Sequence, residues 1–231
     1  MQPAKLLITD NAFILSAKGM ENVEKTFTRD EECFALITED VKKIKKIPIT
    51  CLLSGNRIIS DSHLVKYSHP EPFPADEKTL QLLVENVSHT FLEKYKDQKL
   101  EIIQTEVIGL TLNGYPVKEL KKQKVTDLKA MVYIAGTPNV YYERLRRALG
   151  DQAKTRSFPW YQAKQVEALS KTDEFILCSA YERSTDISAK KDGTYFETIT
   201  VPFGTGHTHD ADFQKNLEKA IEEALTVLCD G

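Results

Sequence analysis

Several stretches of this chain carry residue types that could do chemistry. His207-Thr208-His209-Asp210 sets two imidazoles at i and i+2 beside a carboxylate, part of the donor set of a zinc site. No second cluster supplies the remaining ligands. Gly204 and Gly206 before it and a helical pattern after it make it a loop, with Thr208 or Asp210 capping the next helix. His63 and His69 flank a proline-rich turn and form no nucleophile-base pattern with any Cys or Ser. Tyr141-Tyr142 with Arg144, Arg146 and Arg147 has the content of an aromatic-basic patch for nucleic acid, but reads better as a helix with packed tyrosine and solvated arginines. There remains Glu174 to Gly206, where Tyr181-Glu182-Arg183 joins two strands and a glycine-containing loop follows the third. That connection either holds a phosphate or only turns the chain.

Composition narrows the classes. The 231 residues include 31 basic and 34 acidic side chains, a net charge of -3, so the basic excess of a phosphate-backbone binder is missing and no nucleic-acid partner is expected. An apolar fraction of 41% is enough for one large domain or two small ones. Cys33, Cys51 and Cys178 each sit in an apolar segment without a CxxC spacing and are expected to be buried, reduced thiols. No apolar run approaches the ~18 residues that span a bilayer, the N-terminus has no signal-peptide pattern, and the last helix's apolar face suits core packing rather than a membrane surface. The expectation is a cytoplasmic protein without direct membrane insertion.

The elements that must position these residues follow from periodicity and punctuation. Lys5 to Asp10, Phe13 to Ala17 and Val23 to Thr28 read as three short strands, and Phe34, Ile37, Val41 and Ile44 share one face of a helix that Pro48 ends. "ITCLLS" is a buried strand. Arg57 to Tyr67 is extended, and "SHPEPFPAD" is proline punctuation that fits neither helix nor central strand. Asp76 caps a helix striped by Leu80, Leu83, Val84, Val87 and Phe91; Leu100 to Leu112 and Val125 to Ala135 are strands, with the hairpin signal Asn113-Gly114 between them. Thr137-Pro138 opens a helix, Ser157 to Leu169 gives another, and Glu174 to Pro202 holds three strands before a helix from Asp210 to Leu228. Two runs of strand, strand, strand, helix thus bracket a strand-helix-strand-strand module.

"VIGLTLNGYPVKE" at 107 to 119, "STDI" at 184 to 187 and "TVPFGTG" at 200 to 206 resemble motifs of the FtsA and PilM branch of the actin-like ATPases. The resemblance implies an α/β, ribonuclease-H-like fold of two β-β-β-α halves with an FtsA-type insert. Residues 1-56 would form the first half, 57-136 the insert, and 137-231 connecting helices with an incomplete second half. It also implies a nucleotide site between the halves, on two phosphate loops. Remnant positions of that site would be Asp10 after the first strand, Ser179 where a metal-associated Asp belongs, Thr185, Asp186 and Gly204. Both loops depart from the pattern. Asn11 and Ala12 replace the first glycine turn, and Tyr181-Glu182-Arg183 stands where the second loop's glycines belong. A phosphate cradle needs converging N–H groups and no Cβ in the way, and Glu182 would repel an anion.

The expectation is a non-catalytic scaffold or adaptor, with no cofactor unless the degenerate site still takes ATP and magnesium. Its partners would be proteins, including a membrane-anchored cell-division or pilus-assembly component that holds it at the inner face of the membrane. Self-association is also expected, with Asn113, Gly114 and Tyr115 as the insert's candidate contact. The alternatives are a portion of a longer nucleotide-dependent polymerising ATPase and an unrelated α/β binding module.

Overall fold

The computed structural model describes residues 3–44, 47–120, 123–150, 153–172, 174–193, 195–207 and 213–230. Its first sheet has the order β3-β2-β1-β4-β9. β1 (Ala4–Ile8), β2 (Ala12–Ser16) and β3 (Val23–Thr26) form an antiparallel meander, and β4 (Ile49–Leu53) lies parallel to β1 with Leu6 opposite Cys51. β9 (Ala153–Ser157) lies parallel to β4 and was not expected. Its sequence AKTRS has neither apolar alternation nor β-branched enrichment, and what makes it a strand is the open edge of β4. The segment after residue 137 therefore completes the first sheet as well as building the sheet of the second half. α1 (Asp30–Val41) and α3 (Asn139–Leu149) pack on one another, Phe34 against Tyr141 with ring centroids 5.1 Å apart. Pro138 is the last residue of the preceding strand and stands just before α3, where its missing N–H costs nothing.

The insert is a second sheet, β5-β8-β6-β7, with α2 (Glu77–Lys94) against one face. Asp76 caps α2 by accepting from the Thr79 amide at 2.9 Å. β5 (Ile59–Pro74) carries the proline-rich stretch as an edge strand, with its pairing to β8 (Lys124–Pro138) irregular between Ser68 and Phe73. Arg57, expected to begin that extended run, lies in a single 3-10 turn at Gly55–Arg57. β6 (Leu100–Leu112) turns through Asn113 (φ 49°) and Gly114 (φ 86°) into the short β7 (Tyr115–Val117), the left-handed pair that a tight hairpin requires.

The third sheet, β10-β11-β12, comprises β10 (Phe175–Ala180), β11 (Thr185–Lys191) and β12 (Tyr195–Val201), all antiparallel. α5 (Phe213–Asp230) packs Leu217, Ile221 and Leu225 on Ile187, Ala189 and Val201. Thr208, His209 and Asp210, with the cap and the zinc set read there, lie outside the described residues. So do Thr194 and the side chains of Phe213, Ala220, Ala224 and Leu228. α4 (Phe158–Ser170) begins at Ser157, whose hydroxyl accepts from the Trp160 amide at 3.3 Å. The three sheets meet on three aromatic rings: Tyr133 of β8 stacks on Trp160 of α4 at 4.7 Å, and Phe196 of β12 stands edge-on to both, at 5.5 and 5.0 Å. Each such pair contributes about 0.5–1.5 kcal/mol beyond burial, so this junction fixes how the halves and the insert meet. Cys33 and Cys51 are buried in the core, but Cys178 is exposed, contrary to expectation, because α5 stops short of β10.

Candidate functional site

Two short connections, one after the first strand of each half, approach each other beneath the turn at Gly55–Arg57. After β1 the chain closes on itself: the Thr9 amide donates to the Ala12 carbonyl at 2.9 Å, and the Phe27 amide to the Asn11 carbonyl at 2.7 Å. After β10 the Tyr181 amide donates to the Ser184 carbonyl at 2.8 Å, which makes Tyr181-Glu182-Arg183 a closed turn. The glycine loop lies directly on that turn. The Thr205 amide donates to the Tyr181 carbonyl at 2.7 Å and the Gly206 amide to the Glu182 carbonyl at 2.8 Å. A Cβ at Gly204 would meet the Tyr181 carbonyl oxygen and stand 2.6 Å from the Glu182 carbonyl carbon, so glycine is required there by backbone packing.

Inside, the sequence-predicted residues Asp10, Thr185 and Asp186 come together, all buried. The Ser184 hydroxyl donates to Asp10 Oδ2 at 2.6 Å, joining the two halves directly. Asp186 Oδ2 accepts from the Gly55 amide at 3.0 Å and Oδ1 from the Thr200 hydroxyl at 2.6 Å. The Thr185 hydroxyl donates to the Phe203 carbonyl at 2.7 Å, holding the glycine loop from its other end. Ser179 lies opposite Asp186 in the sheet, and its hydroxyl donates to Gln162 Oε1 of α4 at 2.9 Å. Burial pushes the Asp186 carboxyl above the ordinary carboxylate range, more than its hydrogen bonds draw it down. Gly55 adopts φ +63°, and a Cβ there would run into Asp10 Oδ1 and lie 2.9 Å from the Ser184 hydroxyl.

The residue that sequence reasoning missed is Arg57. It is 7% exposed. Its Nη2 donates to the Asp10 carbonyl at 3.1 Å and to Asp30 Oδ1 at 2.8 Å, and its Nη1 stands 3.7 Å from Asp10 Oδ1. The guanidinium is flanked by the rings of Phe27 and Tyr141, each 5.5 Å from Cζ. Burial works against its charge, and Tyr141 and Asp30 more than restore it. The Thr137 hydroxyl bonds the Arg57 carbonyl at 2.7 Å and so ties the turn to the insert. The signal for Arg57 was its position, a lone charge between the apolar strand "ITCLLS" and the pair Ile58-Ile59.

A nucleotide triphosphate needs free amides converging on its oxygens. The Thr9, Tyr181, Thr205 and Gly206 amides are bonded within the protein, Gly204 and Gly206 close onto the turn, and the Tyr181 ring is half-buried with its hydroxyl beside Ser54, Ser179 and Asp186. These residues do not fit a phosphate cradle. Among the described residues no three His, Cys, Asp or Glu side chains group as a metal site. Two cavities flank Asn56: one of about 300 Å³ bounded by Phe34, Arg57, Tyr141 and Arg144, the other of about 390 Å³ bounded by Tyr95, Arg183, Glu197 and Pro202.

Of the insert residues expected to meet partners, Asn113 has an internal task. Its Oδ1 accepts from the amides of Thr126 at 2.9 Å and Asp127 at 3.0 Å, bracing the hairpin against β8. Gly114 supplies the turn and Tyr115 is presented to solvent, 75% exposed. Among the described residues no helix is long and apolar enough to cross a membrane.

No protein-family model and no curated protein sequence matches the chain. Among solved structures it is similar to a chain of a PilM-PilN type IV pilus biogenesis complex, at 14% identity and a TM-score of 0.59 over 89% of this chain and 63% of that one. It is also similar to a Bacteroides thetaiotaomicron protein of actin-like ATPase fold and unknown function, at 10% identity and a TM-score of 0.47 over 95% and 77%. A third is the cytoplasmic domain of EpsL, an inner-membrane component of the Vibrio cholerae type II secretion system, at 11% identity and a TM-score of 0.41 over 85% and 70%. The chain thus spans about 63% of the length of the PilM-PilN complex chain. The first likeness establishes the fold: this chain has the actin-like ATPase fold, with two β-β-β-α units and an inserted strand-helix-strand-strand subdomain.

Proposed function

We propose that this chain is a non-catalytic actin-fold adaptor that recruits protein partners in a pilus-type assembly on the cytoplasmic side of a membrane. The observation that carries the reading is the closed junction between the halves. Ser184 is bonded to Asp10, Gly55 to Asp186 and Arg57 to the Asp10 carbonyl across the place where a nucleotide would have to enter. What remains for function is surface, including the exposed Tyr115 of the insert. The likeness to a chain of the PilM-PilN pilus biogenesis complex supports the class of partner, a membrane-anchored assembly protein.

Calorimetry with ATP and magnesium is the direct test of the first half of this reading, and no saturable heat is expected. Saturable, magnesium-dependent binding would sink it and revive the polymerising ATPase. The second half is tested by affinity isolation from the native cell, where membrane-anchored assembly proteins should co-purify with the wild-type chain and be depleted for Tyr115→Ala. Isolation of no such protein overturns it.

A further inference from the structure

Alternation along its strands gives the insert's sheet two faces. Val65, Val107, Leu110, Leu128, Ala130 and Val132 belong to the face that packs with α2. The residues between them take the other face, in cross-strand rows that the register defines. Nearest the first half is the row Ser62, Tyr133 and Glu106, covered where Tyr133 stacks on Trp160 and Glu106 accepts from the Trp160 indole at 2.9 Å. Next come Leu64, Met131 and Gly109, and then Lys66, Lys129 and Thr111. On these two rows the cover stops: Leu64 is 53% exposed, Lys66 is exposed, and the Lys129 side chain is 35% exposed.

The open rows carry a conflict. Lys66 and Lys129 stand directly opposite each other, a like-charge cross-strand pair that destabilises the sheet carrying it. Asp127 relieves it only weakly, since its Oδ2 is 3.8 Å from Lys129 Nζ and its Oδ1 already accepts from the Ser68 hydroxyl at 2.5 Å. Edge protection accounts for a lysine on β5, which is an edge strand, but not for Lys129, because β8 lies between β5 and β6. One row inward, Leu64 and Met131 form an apolar shelf, and Gly109 opposite Met131 adds no side chain to it.

We infer that this outer half of the face docks an acidic segment of another protein, whose large apolar side chain seats on Leu64 and Met131 while neighbouring carboxylates take Lys66 and Lys129. The match is one of charge and spacing. The two lysines stand within about 5 Å at Cβ, and Leu64 lies about 7 Å along the strand from Lys66. An extended segment repeats that step between alternate side chains, so an apolar residue with Asp or Glu two positions on meets both rows. A carboxylate between the lysines turns their repulsion into attraction for the partner. An anionic membrane is the poorer occupant, because its recognition takes clusters of about four to eight basic residues and this face presents a pair. The contact rests on the protein-recruiting half of the proposed function and is separate from Tyr115, which lies opposite Leu112 of the α2 side.

The test is selection of short random peptides displayed on phage against the purified protein, followed by titration of the enriched peptides by fluorescence anisotropy. Enriched sequences should carry paired Asp or Glu beside a large apolar residue. Their binding should weaken at least about tenfold in Lys66→Gln/Lys129→Gln and in Leu64→Ser, and should fall with added salt. Lys66→Gln should at the same time raise the urea midpoint of the free protein, since it removes the like-charge pair. A protein that is more stable and binds less is the mark of a site, and a lysine kept only for solubility would not give it. Enriched peptides without acidic residues, acidic peptides that bind the double variant unchanged, no enrichment, or a midpoint that Lys66→Gln leaves unchanged or lowers would each overturn the inference. Without such peptides, phosphatidylglycerol vesicles that bind the wild type but not the double variant assign the face to a membrane instead, and a dimer that the double variant dissociates assigns it to a second copy. Tyr115-dependent co-purification of a membrane-anchored protein that the lysine variants leave unchanged overturns this contact and leaves the proposed function standing.

Discussion

Arg57 is the sharpest point at which to probe the closed junction. Arg57→Met keeps most of the apolar stem between Phe27 and Tyr141 but removes the guanidinium, leaving the Asp10 carboxylate, 2% exposed, without its cation. Three losses combine. One is the hydrogen bond to the Asp10 carbonyl, another is the bond to Asp30, and the third is the ring contacts at 5.5 Å. Removing one partner of a buried pair typically costs 3–5 kcal/mol, most of it from the stranded charge, and about that is expected here. Asp10→Asn removes the stranded charge, so the double variant should recover about 1–3 kcal/mol relative to the sum of the singles. Guanidinium titration followed by Trp160 fluorescence reads both numbers, since Trp160 is buried at the junction of the three sheets. A cost below about 0.5 kcal/mol for Arg57→Met, or strict additivity in the double variant, would refute the reasoning that Arg57 neutralises Asp10.

Two further outcomes follow from the same geometry. Gly204→Ala sets a Cβ 2.6 Å from the Glu182 carbonyl carbon, so the loop must lift and release the Thr205 and Gly206 amide bonds to the turn. At about 1 kcal/mol per bond the loss is roughly 2 kcal/mol in chemical denaturation, and an unchanged midpoint would show that the loop yields freely. Asp186 has a folded carboxyl raised by burial. Its contribution to stability is therefore fully present below the unfolded value of about 3.9 and is lost as pH rises through the folded one. The stability of the wild type relative to Asp186→Asn should accordingly increase as pH is lowered from about 7 toward about 4, and a pH-independent difference would contradict the raised carboxyl.

The order of elements was legible because periodicity and punctuation agreed along most of the chain. α2 shows this well: Asp76 caps it and Leu80, Leu83, Val87 and Phe91 are its buried stripe. The hairpin at Asn113-Gly114 was equally plain, since only such residues take two successive left-handed conformations at low cost. β9 was invisible for a physical reason. A short edge strand is stabilised by the backbone of its neighbour and protected by charge, so Lys154 and Arg156, which make it a safe edge, also erase its pattern. Cys178 failed the same way in reverse. FILCSA looks like a core strand, and whether a core covers it depends on how far α5 reaches, which no local pattern states. At the junction, the inward Asp10 and Asp186 were found through a family resemblance. Arg57 belongs to no motif, and its importance comes from a turn that local sequence did not define.

The two connections after β1 and β10 are better understood as a pair than singly. Each is a closed turn, and the hydrogen bond from Ser184 to Asp10 locks one to the other. Separating the halves enough to admit a triphosphate breaks that bond, the Gly55 amide bond to Asp186 and the Arg57 bond to the Asp10 carbonyl. Hydrogen bonds to charged groups contribute about 1.5–3 kcal/mol each and a neutral one about 1, so opening costs at least about 4 kcal/mol. That places the open state near one part in a thousand, and a ligand that binds only the open state has its apparent affinity reduced by the same factor. Even an intrinsically micromolar nucleotide would then bind in the millimolar range, roughly the ceiling of its usefulness as a ligand. Millimolar binding that tightens about a hundredfold or more in a Ser184→Ala/Asp186→Asn variant would show a latent site held shut by these bonds. The same absence of binding in wild type and variant would show instead that the turns themselves, with Tyr181 to Arg183 in place of glycines, have no cradle to uncover, and the geometry of Gly204 and Gly206 against that turn favours this second outcome.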